Sequence, residues 1–115
     1  MTDKKQDRWR RLLRGAANVL RRNKWIRGHL AMNEYNQIVG SQNPAAVQFC
    51  AVGALKNAAK YPNEALSYTG TRQTAYGKAI KALETVVGRD VAVFNDSVAK
   101  SKEEVIEAML KAANQ

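Results

Sequence analysis

The chain has 115 residues, 45% of them hydrophobic and 25% charged, with 19 Lys and Arg against 10 Asp and Glu for a net charge of +9. That length and balance predict one small soluble globular domain, residues 1–115, able to bury a core without metal or disulfide. A single cysteine excludes an internal disulfide framework, and no stretch approaches the roughly 20 apolar residues of a membrane span, so a cytoplasmic protein with no membrane partner is expected.

The first segment, MTDKKQDRWRRLL, carries charges with no apolar run behind them, unlike a secretory leader. Residues 1–27 hold ten basic side chains against Asp3 and Asp7, a local charge of +8, whereas residues 28–115 hold nine basic and eight acidic ones, a charge of +1. Trp9, Leu12, Leu13, Ala16, Ala17 and Leu20 recur at the i, i+3, i+4, i+7 spacing of one helix face, which predicts a helix over about residues 7–23. Arg8, Arg10, Arg11, Arg14, Arg21 and Arg22 lie off that face, with Asn18 on their side, as a basic ridge about 20 Å long at 1.5 Å per residue. Solvated helix faces usually mix signs to gain i,i+4 pairs. A one-signed face repels itself unless an anionic partner compensates. With Lys24 and Arg27, this ridge is the candidate surface for nucleic acid or for an acidic protein surface. Its arginines favour bidentate contact with phosphate or carboxylate.

From Trp25 to Gln42 the periodicity weakens. Gly28 can end a helical segment, and Gly40-Ser41-Gln42-Asn43 reads as a loop. His29 is the only histidine; with no ligand-spaced neighbours it reads as a structural residue before a catalytic or metal-binding one. Asn43 as N-cap and Pro44 at the first helical position predict a central buried helix over about residues 43–61, stopped by Pro62. Its small residues, Ala46, Cys50, Gly53, Ala54 and Ala58, let neighbouring backbones approach. Gly53 costs about 1 kcal/mol relative to alanine in a helix interior, which makes sense if something packs directly on the backbone there. Cys50, placed about two turns inside such a helix, reads as a small buried hydrophobe rather than a nucleophile.

After Pro62, NEALSYTGT reads as a short turn or helix and loop. A helix follows over about Thr71 to Val87, with Tyr76, Ala79, Ile80, Leu83 and Val87 on one face and Gly88 as its stop. Residues 91–94 (VAVF) read as an apolar connector and Asn95-Asp96-Ser97 as a turn. Ser101 and Glu104 form a capping box for a last helix with Val105, Met109 and Ala112 on one face, ending near Ala113. The expectation is an all-α fold of about four main helices around the helix at 43–61. No Cys/His set has metal-ligand spacing and no cofactor is expected. GTRQTAYGKA at residues 70–79 lacks the spacing and hydroxyl residue of a phosphate loop. No helix-turn precedes the basic helix, so the layout is not a standard helix-turn-helix.

Four short motifs stand in a fixed order: AANVLRRNKWIRG, CAVGAL followed by KNAA, FNDS, and EEVIEAMLKAA. In that order they resemble a small bacterial and phage family of domains of unknown function, over roughly Leu13 to Ala113. Members of that family typically carry tryptophan before Asn-Asp, where this chain has Phe94, which keeps an aromatic anchor without the indole. The resemblance implies no established activity; it suggests a cellular or phage-encoded accessory protein, with Trp25, Cys50, Asn95 and Asp96 as motif residues of one pocket. Each has a structural role open to it: Trp25 as core anchor, Cys50 as contact residue, Asn95 and Asp96 as turn or backbone tie. The sequence thus favours a basic protein that binds nucleic acid or a nucleoprotein complex, such as a phage accessory or counter-defence protein. A small hydrolase or transferase built on Cys50 and Asp96, with His29 as a further candidate, and a protein inhibitor docking on an acidic surface remain the alternatives. The oligomeric state is not legible.

Overall fold

The computed structural model of the chain describes residues 4–60 and 74–115. Helix α1 spans Lys4–Arg22, with Asp7 in its first turn and Arg21 and Arg22 in its last, each sign set to complement the helix dipole. Leu13, Ala16, Ala17 and Leu20 are completely buried. Their face packs on helices α2 (Ala51–Ala59), α3 (Ala75–Val87) and α5 (Lys102–Ala113). The α1–α2 crossing is close: a Cβ on Gly15 would stand 3.3 Å from the Ala58 Cβ.

The fold is mostly helical, but the all-α expectation needs correction. Three two-residue strands, β1 (Lys24–Trp25), β2 (Ala31–Met32) and β3 (Gln48–Phe49), form a sheet in the order β1-β3-β2. β1 runs parallel to β3, pairing Lys24 with Gln48 and Trp25 with Phe49. β2 runs antiparallel to it, pairing Ala31 with Phe49 and Met32 with Gln48. The short central strand occupies what reads in sequence as helix, so the helix expected over 43–61 is confined to Ala51–Ala59. Asn43 makes a turn instead of a helix cap: its side chain accepts from the Ala45 N–H at 2.8 Å and its carbonyl from Ala46 at 2.9 Å. The helix closes on Lys60 in the left-handed conformation, φ 53°. Tyr61, Pro62 and the expected turn or loop of 62–70 lie outside the described residues.

α3 starts at Thr74, whose Oγ1 accepts from the Gly77 N–H at 2.9 Å, and ends at Gly88 with φ 75°. The earlier start expected near Thr71 falls outside the described residues. Residues 91–94 are not a connector. Asp90 caps a short helix α4, Val91–Val93, which runs into a π-helical turn at Phe94–Val98, closed by the Ala99 N–H on the Phe94 carbonyl at 2.8 Å. α5 has the Ser101 half of the expected capping box: Ser101 Oγ accepts from the Glu104 N–H at 3.3 Å, whereas Glu104 Oε2 accepts from the Lys100 N–H at 3.2 Å, one residue before the cap. Its Val105, Met109 and Ala112 are fully buried.

Candidate functional site

The face of α1 opposite the core is basic and open to solvent. Arg8, Arg11, Arg14, Arg21 and Arg22 are exposed, and Lys24 at the start of β1 continues the row. Arg21 Nη1 donates to the exposed Asn18 Oδ1 at 2.8 Å. Among the described residues, Arg8, Arg14, Arg22 and Lys24 have no carboxylate within ion-pair distance. Arg10 and Arg27 stand apart from this row. Arg10 pairs with Asp7 at 2.9 Å, donates to the Gln115 carbonyl at 2.8 Å and lies 4.4 Å from the Trp9 ring centroid. Arg27 donates to the Ala99 carbonyl at 2.7 Å and stacks 4.5 Å from the Trp25 ring centroid. These two guanidinium groups fasten chain segments together. At the C-terminal end of the ridge a cleft of about 320 Å³ opens, lined by Arg22, Asn23, Lys24, Glu34, Val47 and Gln48.

A second group meets where the π turn, β1 and α2 converge. The buried Asn95 amide is central. Its Oδ1 accepts from Trp25 Nε1 at 2.6 Å and from the Ala51 N–H at 2.9 Å; its Nδ2 donates to the Ile26 carbonyl at 3.1 Å and to Asp96 Oδ1 at 2.8 Å. Asp96 Oδ1 also accepts from the Gly28 N–H at 3.0 Å. Asn95 and Asp96 are neighbours in sequence, but the fold brings them to the Trp25, Ile26, Gly28 and Ala51 groups, across 44 to 70 residues. The widened π turn carries Asn95 inward and leaves Asp96 exposed. Trp25, Cys50, Asn95 and Asp96 therefore meet, and the contacts of Asn95 and Asp96 are ties to backbone and to the indole.

Cys50 stands in a different place from the one its sequence context implies. It is the N-cap of α2, not a residue two turns inside it, and Sγ accepts from the Gly53 N–H at 3.3 Å. A cavity of about 150 Å³ touches Cys50, Asp96 and the exposed His29, together with Gly28, Leu30, Val52 and Ala92. Burial pushes the Cys50 thiol above its ordinary value of 9.0; hydrogen bonds from the Gly53 and Val52 amides oppose this, and the nearby Asp96 carboxylate raises it further. A raised value favours the protonated thiol near neutral pH, and in the structure Sγ serves as the cap of α2. No group of three or more His, Cys, Asp or Glu side chains among the described residues is placed to hold a metal ion. No helix among them is long and apolar enough to cross a membrane.

Sequence reading missed the cleft because its walls come from three separated segments. Glu34 and Gln48 carry no periodic signal, although a glutamine inside the apolar run AVQFCAV marks a polar tie. The model of one family, a family of unknown function (DUF6197), matches residues 4–115. The chain belongs to that family. DUF6197 thus spans the basic face of α1, the cleft and the Asn95 junction alike. No curated protein and no solved structure matches the chain.

Proposed function

We propose that this member of DUF6197 is a nucleic-acid-binding protein that lays a phosphate backbone along the outer face of α1. One observation carries the reading: a row of exposed cations, Arg8, Arg14, Arg22 and Lys24, that lacks carboxylate partners among the described residues while Leu13, Ala16, Ala17 and Leu20 on the helix's other face are buried in the core. A surface of one sign attracts a polyanion and gains from displacing its counterions. The compartment is the cytoplasm, where a lone cysteine stays reduced. The resemblance suggests a phage accessory or counter-defence protein as the biological setting. The hydrolase or transferase alternative has less support, because a protonated, capped thiol is a poor nucleophile.

The test is a fluorescence-anisotropy titration of duplex DNA, single-stranded DNA and RNA across salt concentrations. Wild type should bind, with a log–log salt slope of about −0.9 per duplex phosphate contacted. Arg8→Ala/Arg14→Ala should flatten that slope by about two contacts' worth and weaken binding alike across sequences. Absence of binding to all three at low salt would overturn the proposal and leave an acidic protein surface as the better partner for the arginines.

A further inference from the structure

The cleft at the end of α1 is built from both edges of the sheet. β1 brings Lys24, just after Arg22 and Asn23; the turn after β2 brings Glu34; the central strand β3 and the residue before it bring Gln48 and Val47. The turn at residues 33–37 is held tightly. Asn33 Oδ1 accepts from the Tyr35 and Gln37 N–H groups at 2.9 and 3.0 Å, and Asn33 Nδ2 donates to Gln37 Oε1 at 2.7 Å. Gln48, buried in β3, donates from Nε2 to the Asn33 carbonyl at 2.8 Å and to Asn36 Oδ1 at 2.6 Å, locking the turn to the cleft. This fixed turn holds Tyr35 out in solvent at 74% exposure, next to Glu34, with Ile38 at 65% and Val47 at 37% also exposed. Core packing gives no reason to place an aromatic ring there, and because the backbone of the turn that carries it is fixed in advance, little main-chain freedom is lost when a flat partner stacks on the ring.

Resting on the nucleic-acid reading above, we infer that the partner is single-stranded, with an unpaired base entering this cleft. The row of cations runs along α1 to Arg22 and on to Lys24 of β1, both on the cleft, so a strand tracked along the ridge delivers its next nucleotide there. Tyr35, the residue after Glu34, does not itself line the cleft but offers an exposed ring on which a base of the same strand can stack, and such faces accept any base. The Glu34 carboxylate repels phosphate, but it accepts a hydrogen bond from an exocyclic amino group, as on cytosine. A duplex base has its faces covered by stacked neighbours and offers Tyr35 nothing; an unpaired base offers both face and amino group.

The experiment compares labelled oligo-cytidylate and oligo-thymidylate, as DNA and as RNA, with a duplex of equal length, using wild type, Tyr35→Ala and Glu34→Gln. Thermal melting alongside checks the fold, which an exposed ring does not support. Wild type should bind single strands more tightly than duplex, in either sugar chemistry. Tyr35→Ala should weaken single-strand binding about tenfold and leave duplex binding unchanged. Glu34→Gln should narrow the preference for cytidylate over thymidylate. Duplex binding as tight as single-strand binding, or a Tyr35→Ala variant that binds single strands as well as wild type, would overturn the inference while leaving the basic-ridge proposal standing. Absence of binding to every probe would overturn both.

Discussion

Asn95 shows how one side chain holds three segments. Its amide oxygen satisfies the Trp25 indole and the first amide of α2, and its amide nitrogen satisfies the Ile26 carbonyl. Asn95→Ala strands all three groups, and a buried polar group left unpaired costs about 1–3 kcal/mol; the Ala51 amide is buried while the Trp25 and Ile26 groups are only partly so, and a loss of about 1–3 kcal/mol is expected in urea denaturation. An unchanged transition midpoint would show that the amide does not latch the junction. Cys50 contributes in another way. Its folded-state pKa lies above that of the free thiol, so the unfolded chain loses the proton first as pH rises. The stability it contributes is complete below the ordinary value of 9.0 and declines as pH climbs toward the higher folded value. Unfolding free energies measured from pH 7 to 10.5 should therefore fall more steeply for wild type than for Cys50→Ser, which keeps a cap but has no thiol. Equal slopes would mean the thiol is not protected. The meeting of these residues was legible only as four motif positions in one pocket. Which atoms they satisfy depends on a π turn and a two-residue strand, neither of which leaves a pattern in sequence.

Gly53 sits in the first turn of α2 directly beneath the backbone of Leu30, whose carbonyl also accepts from the Cys50 N–H at 3.2 Å. Helix propensity alone says that Gly53→Ala should stabilise by about 1 kcal/mol. The contact says the opposite: a Cβ would overlap the Leu30 carbonyl oxygen, which is backbone and cannot rotate away. Overpacking of this kind costs about 1–3 kcal/mol or more, so steric overlap wins and the variant should melt below wild type. A variant that melts higher would place Leu30 elsewhere. The sequence carries the reason for the glycine, a backbone packed against it, but not the identity of that backbone. The long elements α1, α3 and α5 were legible because each repeats apolar residues over three or more turns. Ser101 and Gly88 marked ends by side-chain and left-handed chemistry that act locally. The start of α2 was not legible because Asn43-Pro44 fits a helix start and a turn equally well, and long-range pairing of Gln48-Phe49 with both β1 and β2 decides between them.

The charge distribution is a property of the whole molecule, and it has a consequence that needs no partner. Residues 1–27 carry ten cations against two carboxylates. Asp7 pairs with Arg10, which stands apart from the exposed row, so that pair leaves Arg8, Arg14 and Arg22 facing one another's charge. Folding winds the remaining arginines onto one helix face, closer together than in the open chain, so their repulsion opposes folding. Salt shortens the range of that repulsion, to a Debye length of about 10 Å at 0.1 M and 3 Å at 1 M. The melting temperature of the free protein should therefore rise by a few degrees with added sodium chloride, the size of change that about 1 kcal/mol produces in a domain of this length. Arg8→Ala/Arg14→Ala should melt higher than wild type at low salt and gain less from added salt, because alanine keeps the helix while removing two like charges. A molecule held by surface ion pairs responds the other way, losing stability as salt screens attraction. A melting temperature that falls with salt in wild type would therefore mean that the arginines of α1 are paired in solution, and it would remove the observation on which nucleic-acid binding rests.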